Sequence, residues 1–177
     1  MNRRAIIILT VASIIITLSA GVRQSFGLYL PFVTMDLGVG REVFGFAMAI
    51  QNIITGMMMP LAGALGERYG VGRVTFVAGL VYAAGLVLAS MANGPLMLYA
   101  SLGLLAGVGL GAVTYNVLFA AVGQAVPADK RTFAFGIVTG AGSFGMFALM
   151  PATGQLLEHM SWHNAMLVVT ALPLMVA

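Results

Sequence analysis

AIIILTVASIIITLSAGVRQSFGLYLPF, Ala5 to Phe32, holds a single charge, Arg23, in a run that is otherwise apolar or small and polar. A membrane-crossing helix needs about 20 mostly apolar residues, and this run exceeds that. It is also longer than the roughly 7–15-residue core of a secretory signal, and similar runs follow it, so it reads as a retained span.

The whole chain supports that reading. Of its 177 residues 60% are hydrophobic and 7% charged, against about 45–50% and about 25% in soluble domains. The lipid bilayer is therefore the expected surrounding. There is no cysteine, which excludes disulfides, thiolate metal sites and cysteine nucleophiles. His159 and His163 flank Trp162 at an expected helix end and read as interfacial residues, so no metal and no cofactor is expected. The formal charge of +3 has its meaning in where the basic residues fall, and implies no nucleic-acid partner.

By length and hydropathy the chain divides into six spans, at about residues 5–33, 43–65, 74–91, 96–126, 133–157 and 164–177. The connectors MDLGVGRE, GERYGVGR, ANGP, PADKR and EHMSWH concentrate glycine, proline and charge. With the N-terminus cytoplasmic, Arg3, Arg4, Arg68, Arg73, Lys130 and Arg131 share the cytoplasmic side and Arg41 alone lies outside, as the positive-inside rule expects. The last run, NAMLVVTALPLMVA, is short for a span, and the expectation is a chain cut within its sixth helix. Glycine is abundant, 23 residues. Gly103, Gly107 and Gly111 form a stripe with Gly109 beside it, and the fifth span has Gly136, Gly140 and Gly145. Small residues of this kind let helices approach closely where lipid is the solvent.

Two connectors carry a resemblance. GALGERYGVGR, with Gly63, Leu65, Gly66, Glu67, Arg68 and Gly70 in order, resembles the loop between helices two and three of the major facilitator superfamily. Glu67 stands where aspartate is usual, and the closing basic residue arrives late, at Arg73. PADKRTFAFG, with Pro127, Lys130, Arg131 and Gly136, is similar to that superfamily's connector between helices four and five. The fifth span matches only partly: Gly136, Gly145, Pro151 and Gly154 fit, but Met150 replaces a glycine. Gly103 stands about where the fourth helix usually has an arginine. SFGLYLPF, MDLGVGRE and GVGLGAVTYNVLFAAV resemble the monocarboxylate and oxalate–formate porter branch.

The resemblance implies an all-α integral membrane fold. The chain would be one six-helix half, residues 1–177, of a twelve-helix carrier, with the substrate site near the bilayer midplane between the halves. It also implies alternating access, a small monocarboxylate-like anion as substrate, and a C-terminal half as partner. Uniport, symport with a coupling proton, and antiport all stay open. The expected location is a bacterial inner or plasma membrane. Transport of another substrate class, such as drug efflux, and a non-transporting six-helix sensor or assembly subunit are the alternatives. No acid–base or nucleophile cluster lies at depth, so an enzyme is not expected.

An arginine in the middle of an apolar helix costs at least about 2.5 kcal/mol on insertion scales and should face a bundle interior or an aqueous cavity. Counted from Ala5, Arg23 lies about 27 Å along the axis, so snorkelling to the outer headgroups is the competing reading. Facing the cavity, its planar, fixed charge suits a carboxylate. Tyr115, Asn116 and Gln51 complete the expected substrate contacts, although for Asn116 and Gln51 a helix-to-helix hydrogen bond is an equal alternative. Asn52 and Ser143 are further polar groups at depth. The resemblance implies that Gly63, Leu65, Glu67, Arg68, Gly70 and Arg73 form a cytoplasmic gate; for Glu67, Arg68 and Arg73 a solvated positive-inside loop is the alternative. Asp36, Glu42, Glu67, Asp129 and Glu158 all fall at span ends or connectors, leaving no carboxylate at depth for proton coupling.

Overall fold

The computed structural model describes residues 2–176, and all regular secondary structure among them is helical. Residue 177 of the expected sixth span lies outside the described residues. Helix α1, Arg3–Leu37, starts before the expected span and passes through Asp36. It ends because Gly38 adopts φ 60°, ψ 31°, with its N–H returning to the Thr34 carbonyl, a left-handed close that favours glycine. Gly40 is extended and caps α2, Arg41–Tyr69.

The stretch GERYGVGR, expected as a connector, is mostly helix. Helix α2 runs to Tyr69, and α3, Val71–Ser90, begins after the single residue Gly70. Gly70 has φ 91° and ψ 133°, and its N–H meets the Gly66 carbonyl at 3.0 Å. A residue with a β-carbon resists that backbone, so one glycine does the work of a loop. Glu67 and Arg68 thus sit on the last turn of α2, and Arg73 on the first turn of α3.

The fourth span differs more from expectation. It contains α4, Pro95–Leu98, a π-helical stretch at Tyr99–Leu105, α5, Ala106–Ala112, and α6, Tyr115–Ala125. Between α5 and α6 the chain leaves helical geometry: Val113 N–H donates to Leu110 in a tighter turn, and Thr114 is extended at φ −82°, ψ 165°. Two adjacent β-branched residues follow a glycine-rich helix there. The Thr114 hydroxyl donates back to the Gly111 carbonyl, the kind of local bond that competes with helix continuation. A 3-10 turn at Ala128–Lys130 leads into α7, Arg131–His159, and α8 covers Trp162–Val176.

Among the described residues five helical stretches are long and apolar enough to cross a membrane: α1, α2, α3, Pro95–Ala125 and Ala128–His159; α8 is apolar but shorter. Their outer faces carry Ile7, Ile14, Ile53, Phe76, Phe144 and Phe147 in the open, as lipid-facing helices do.

Close packing is set by glycine. Helix α1 packs chiefly on α7, and α2 and α3 both pack on α5. A β-carbon on Gly145 of α7 would strike the Thr17 carbonyl of α1, and one on Gly21 would come within 2.6 Å of the Gly145 carbonyl. Thr17 also donates to the Ala141 carbonyl at 2.9 Å, fixing the seam. The stripe Gly103, Gly107 and Gly111 lies on α2 against Ala47, Ile50, Gln51 and Met58, whereas Gly109 turns to Tyr82 of α3. Gly136 and Gly140 meet nothing within 4 Å, so the fifth span's glycines divide between a packed face and an open one.

The antiparallel succession of helices segregates charge. Asn2 and Arg4 border one groove with Val71, Gly72, Gln124 and Ala125, placing the start of α1, the α2–α3 turn and the α6–α7 connector at one end. At the opposite end Asp36 accepts from Trp162 Nε1 at 3.0 Å and lies 3.8 Å from His163 Nε2. Trp162 is buried there, tying the end of α1 to the start of α8.

Candidate functional site: a polar recess at mid-height

A recess of about 340 Å³ opens between α1, α2 and the break in the fourth span, with Met146 of α7 on its rim. Its polar lining comprises Ser19, Arg23 and Gln24 of α1, Gln51, Asn52 and Thr55 of α2, and Thr114 and Tyr115 beside the break. Arg23 lies within one turn of the midpoint of α1, which extends beyond the expected span at both ends. Counted on the full helix, Arg23 is therefore central along α1, and its side chain turns into the recess.

Arg23 is held from across the gap. Its Nη2 donates to Asn52 Oδ1 at 2.5 Å, and Asn52 Nδ2 donates to the Met48 carbonyl at 2.8 Å. Both side chains remain exposed on the recess side. Arg23 is the one basic residue lining the recess, and no carboxylate lines it among the described residues. A guanidinium has five N–H donors, so the Asn52 contact leaves others free for a ligand.

The expected contacts are placed differently from one another. Arg23, Tyr115 and Gln51 border the same recess. Gln51 is buried, with Nε2 donating to the Leu102 carbonyl at 2.9 Å, so that amide also joins α2 to the fourth span. Tyr115 directs its hydroxyl toward Gly142 of α7, and its ring begins an aromatic row with Phe119 and Phe135 at centroid distances of 5.7 and 4.8 Å. Asn116 is not brought to the recess: it donates to Met59 Sδ at 3.5 Å. Successive residues of a helix point about 100° apart, which separates Asn116 from its neighbour Tyr115 on α6. Ser143, by contrast, donates to the Thr139 carbonyl within α7. Asn52 is the principal partner that composition alone does not single out.

The break has an electrostatic consequence. The first turn of a helix carries unpaired N–H groups and the positive end of the helix dipole. For α6 that turn begins at Thr114 and Tyr115, both on the recess wall.

At the basic end, Leu65, Glu67, Arg68 and Arg73 are all exposed. Arg68 lies over the Tyr69 ring at 5.3 Å, and Glu67 has no basic group within 4.0 Å among the described residues. Gly66 rests on Val71, while Gly63 is open. In the second motif, Pro127 precedes the 3-10 turn, Lys130 is exposed, and Arg131 Nε donates to the Val126 carbonyl at 3.2 Å, closing the connector onto α6.

Comparison with known proteins agrees with this architecture. A family model described as Major Facilitator Superfamily matches residues 12–177. Monocarboxylate transporter 12-B of Danio rerio is 31% identical over 139 residues, covering 77% of this chain and 29% of that protein. Monocarboxylate transporter 13 of Bos taurus is 33% identical over 156 residues, covering 87% and 36%. Monocarboxylate transporter 11 of Mus musculus is 32% identical over 161 residues, covering 89% and 35%. The chain thus spans about a third of the length of these relatives. Apolar helices and family match together make this an integral, multi-pass membrane protein of a transporter family. The chain belongs to the major facilitator superfamily, in its monocarboxylate-transporter-like branch.

Proposed function

We propose that this chain is the N-terminal six-helix half of a secondary carrier that moves a small organic anion of the monocarboxylate class by alternating access. The observation that carries the reading is Arg23, a fixed positive charge directed into a recess lined by no carboxylate among the described residues. Charge-assisted bonds to a carboxylate are among the stronger polar contacts. The first turn of α6 adds positive potential at the same wall, and Tyr115 adds an aromatic and hydroxyl surface. The recess volume, about 340 Å³, suits a small substrate. The names of the relatives favour the same class.

The open side of the recess is where the second half would close over the substrate, near the bilayer midplane. The N-terminus would be cytoplasmic, because the basic residues gather at its end. Leu65, Glu67, Arg68 and Arg73 would then form the cytoplasmic gate with the second half, consistent with their exposure here. Any titratable group for proton coupling would come from that half.

Uptake of labelled L-lactate, pyruvate and oxalate into liposomes bearing the full-length protein tests this. Saturable uptake of at least one anion, impaired in Arg23→Ala, is expected. Uptake unaffected by Arg23→Ala removes Arg23 as the anion contact.

A further inference from the structure

Helices α1 and α2 touch lightly compared with α1 and α7, and among the described residues one bond between side chains crosses that light seam, Arg23 Nη2 to Asn52 Oδ1. The orientation of the Asn52 amide is set from both sides. Its NH₂ donates to the Met48 carbonyl in the preceding turn, which leaves Oδ1 as the end facing the guanidinium. Reversed, the amide would put donor against donor and acceptor against acceptor. The arginine is therefore held at one Nη by a fixed acceptor on the neighbouring helix.

The neutrality of that acceptor matters as much as its position. A carboxylate in the same place would take the guanidinium in a full ion pair, often through two parallel bonds, and would cancel the charge that an anion senses. An amide accepts one hydrogen bond and leaves the charge in place. It also restrains a side chain that otherwise has considerable rotamer freedom to lose on binding.

We infer that Asn52 is a positioning and specificity-determining residue: it holds the Arg23 guanidinium across the recess while leaving its charge uncompensated for a substrate anion. This rests on the reading of Arg23 as the anion contact, and the test separates the two. Full-length wild type, Asn52→Asp, Asn52→Ala, Arg23→Ala and Arg23→Ala/Asn52→Asp proteins are placed in liposomes. KM and maximal rate are read with labelled L-lactate, pyruvate and oxalate.

Asn52→Asp, nearly the same shape, is expected to raise KM by about tenfold or more, the size of one lost charge-assisted contact. Asn52→Ala is expected to raise KM by roughly threefold while leaving the maximal rate within about twofold, because the arginine keeps its charge but loses its support. In the Arg23→Ala background, Asn52→Asp is expected to add nothing. Wild-type KM in both Asn52 variants, with Arg23→Ala impaired, overturns the role of Asn52 and leaves the Arg23 reading standing. An equal KM increase from Asn52→Asp with and without Arg23 also overturns it. Wild-type KM in Arg23→Ala, or no uptake of any of the three anions by wild type, overturns both readings. Loss of folded protein in both single Asn52 variants assigns Asn52 to the fold and overturns its specificity role.

Discussion

Helix α1 has two unlike seams. Against α7 it meets backbone with backbone: Gly145 lies under the Thr17 carbonyl, Gly21 lies under Gly145, and the Thr17 hydroxyl bonds across to Ala141. Against α2 it leaves a recess of about 340 Å³ bridged by Arg23 and Asn52. In lipid, where apolar side chains gain little by leaving the solvent, close backbone approach is what binds helices. The first seam therefore holds α1 in place, and the second is free to carry polar groups. The same helix is a packed scaffold on one side and lines the polar recess on the other.

The packed seam should fail first. Gly145→Ala drives a β-carbon into the Thr17 carbonyl and is expected to destabilise the protein by about 3 kcal/mol, seen as a lowered melting midpoint of the full-length protein in detergent. An unchanged midpoint would mean that the seam is not tightly closed. Asp36→Ala removes the acceptor for the buried Trp162 Nε1 and should cost about 1 kcal/mol, with Asp36→Asn recovering most of it. Loss of equal size in both variants would assign the tie to the His163 contact instead of the Trp162 hydrogen bond. Gly136→Ala places the same methyl on the open face of α7, where nothing lies within 4 Å. It should be neutral or stabilise by about 0.5 kcal/mol through helix propensity; destabilisation comparable to Gly145→Ala would erase the distinction between the faces. At the open seam, Asn52→Ala should move the melting midpoint least, by the equivalent of less than about 0.5 kcal/mol.

Much of this contrast was legible in the residues. Hydropathy marks apolar stretches, five of which are helical and long enough to cross a membrane among the described residues, and Gly38 and Gly70 sit at the turns that their positive φ values require. The stripe Gly103, Gly107 and Gly111 follows from four-residue spacing, and it does pack on a single neighbour. Arg23 stood out because a charge in an apolar run has a cost that some environment must offset. Asn116 and Asn52 show where the sequence stops informing. Both are asparagines in apolar helices, yet one donates to Met59 Sδ while the other accepts from Arg23. In a run apolar on every side there is no amphipathic stripe to reveal which polar side chain meets which neighbour. The division of the α7 glycines has the same origin. Spacing shows that Gly136, Gly140 and Gly145 are small, but not which of them meets a neighbour.

Arg23 is proposed as the anion contact on the open side of α1. Equilibrium binding of L-lactate, pyruvate and oxalate to purified full-length protein, wild type against Arg23→Ala, tests it most directly. The expected result is wild-type binding of at least one anion and an affinity reduced about tenfold or more in the variant, with its melting midpoint retained. Equal affinity in the two proteins would contradict the account.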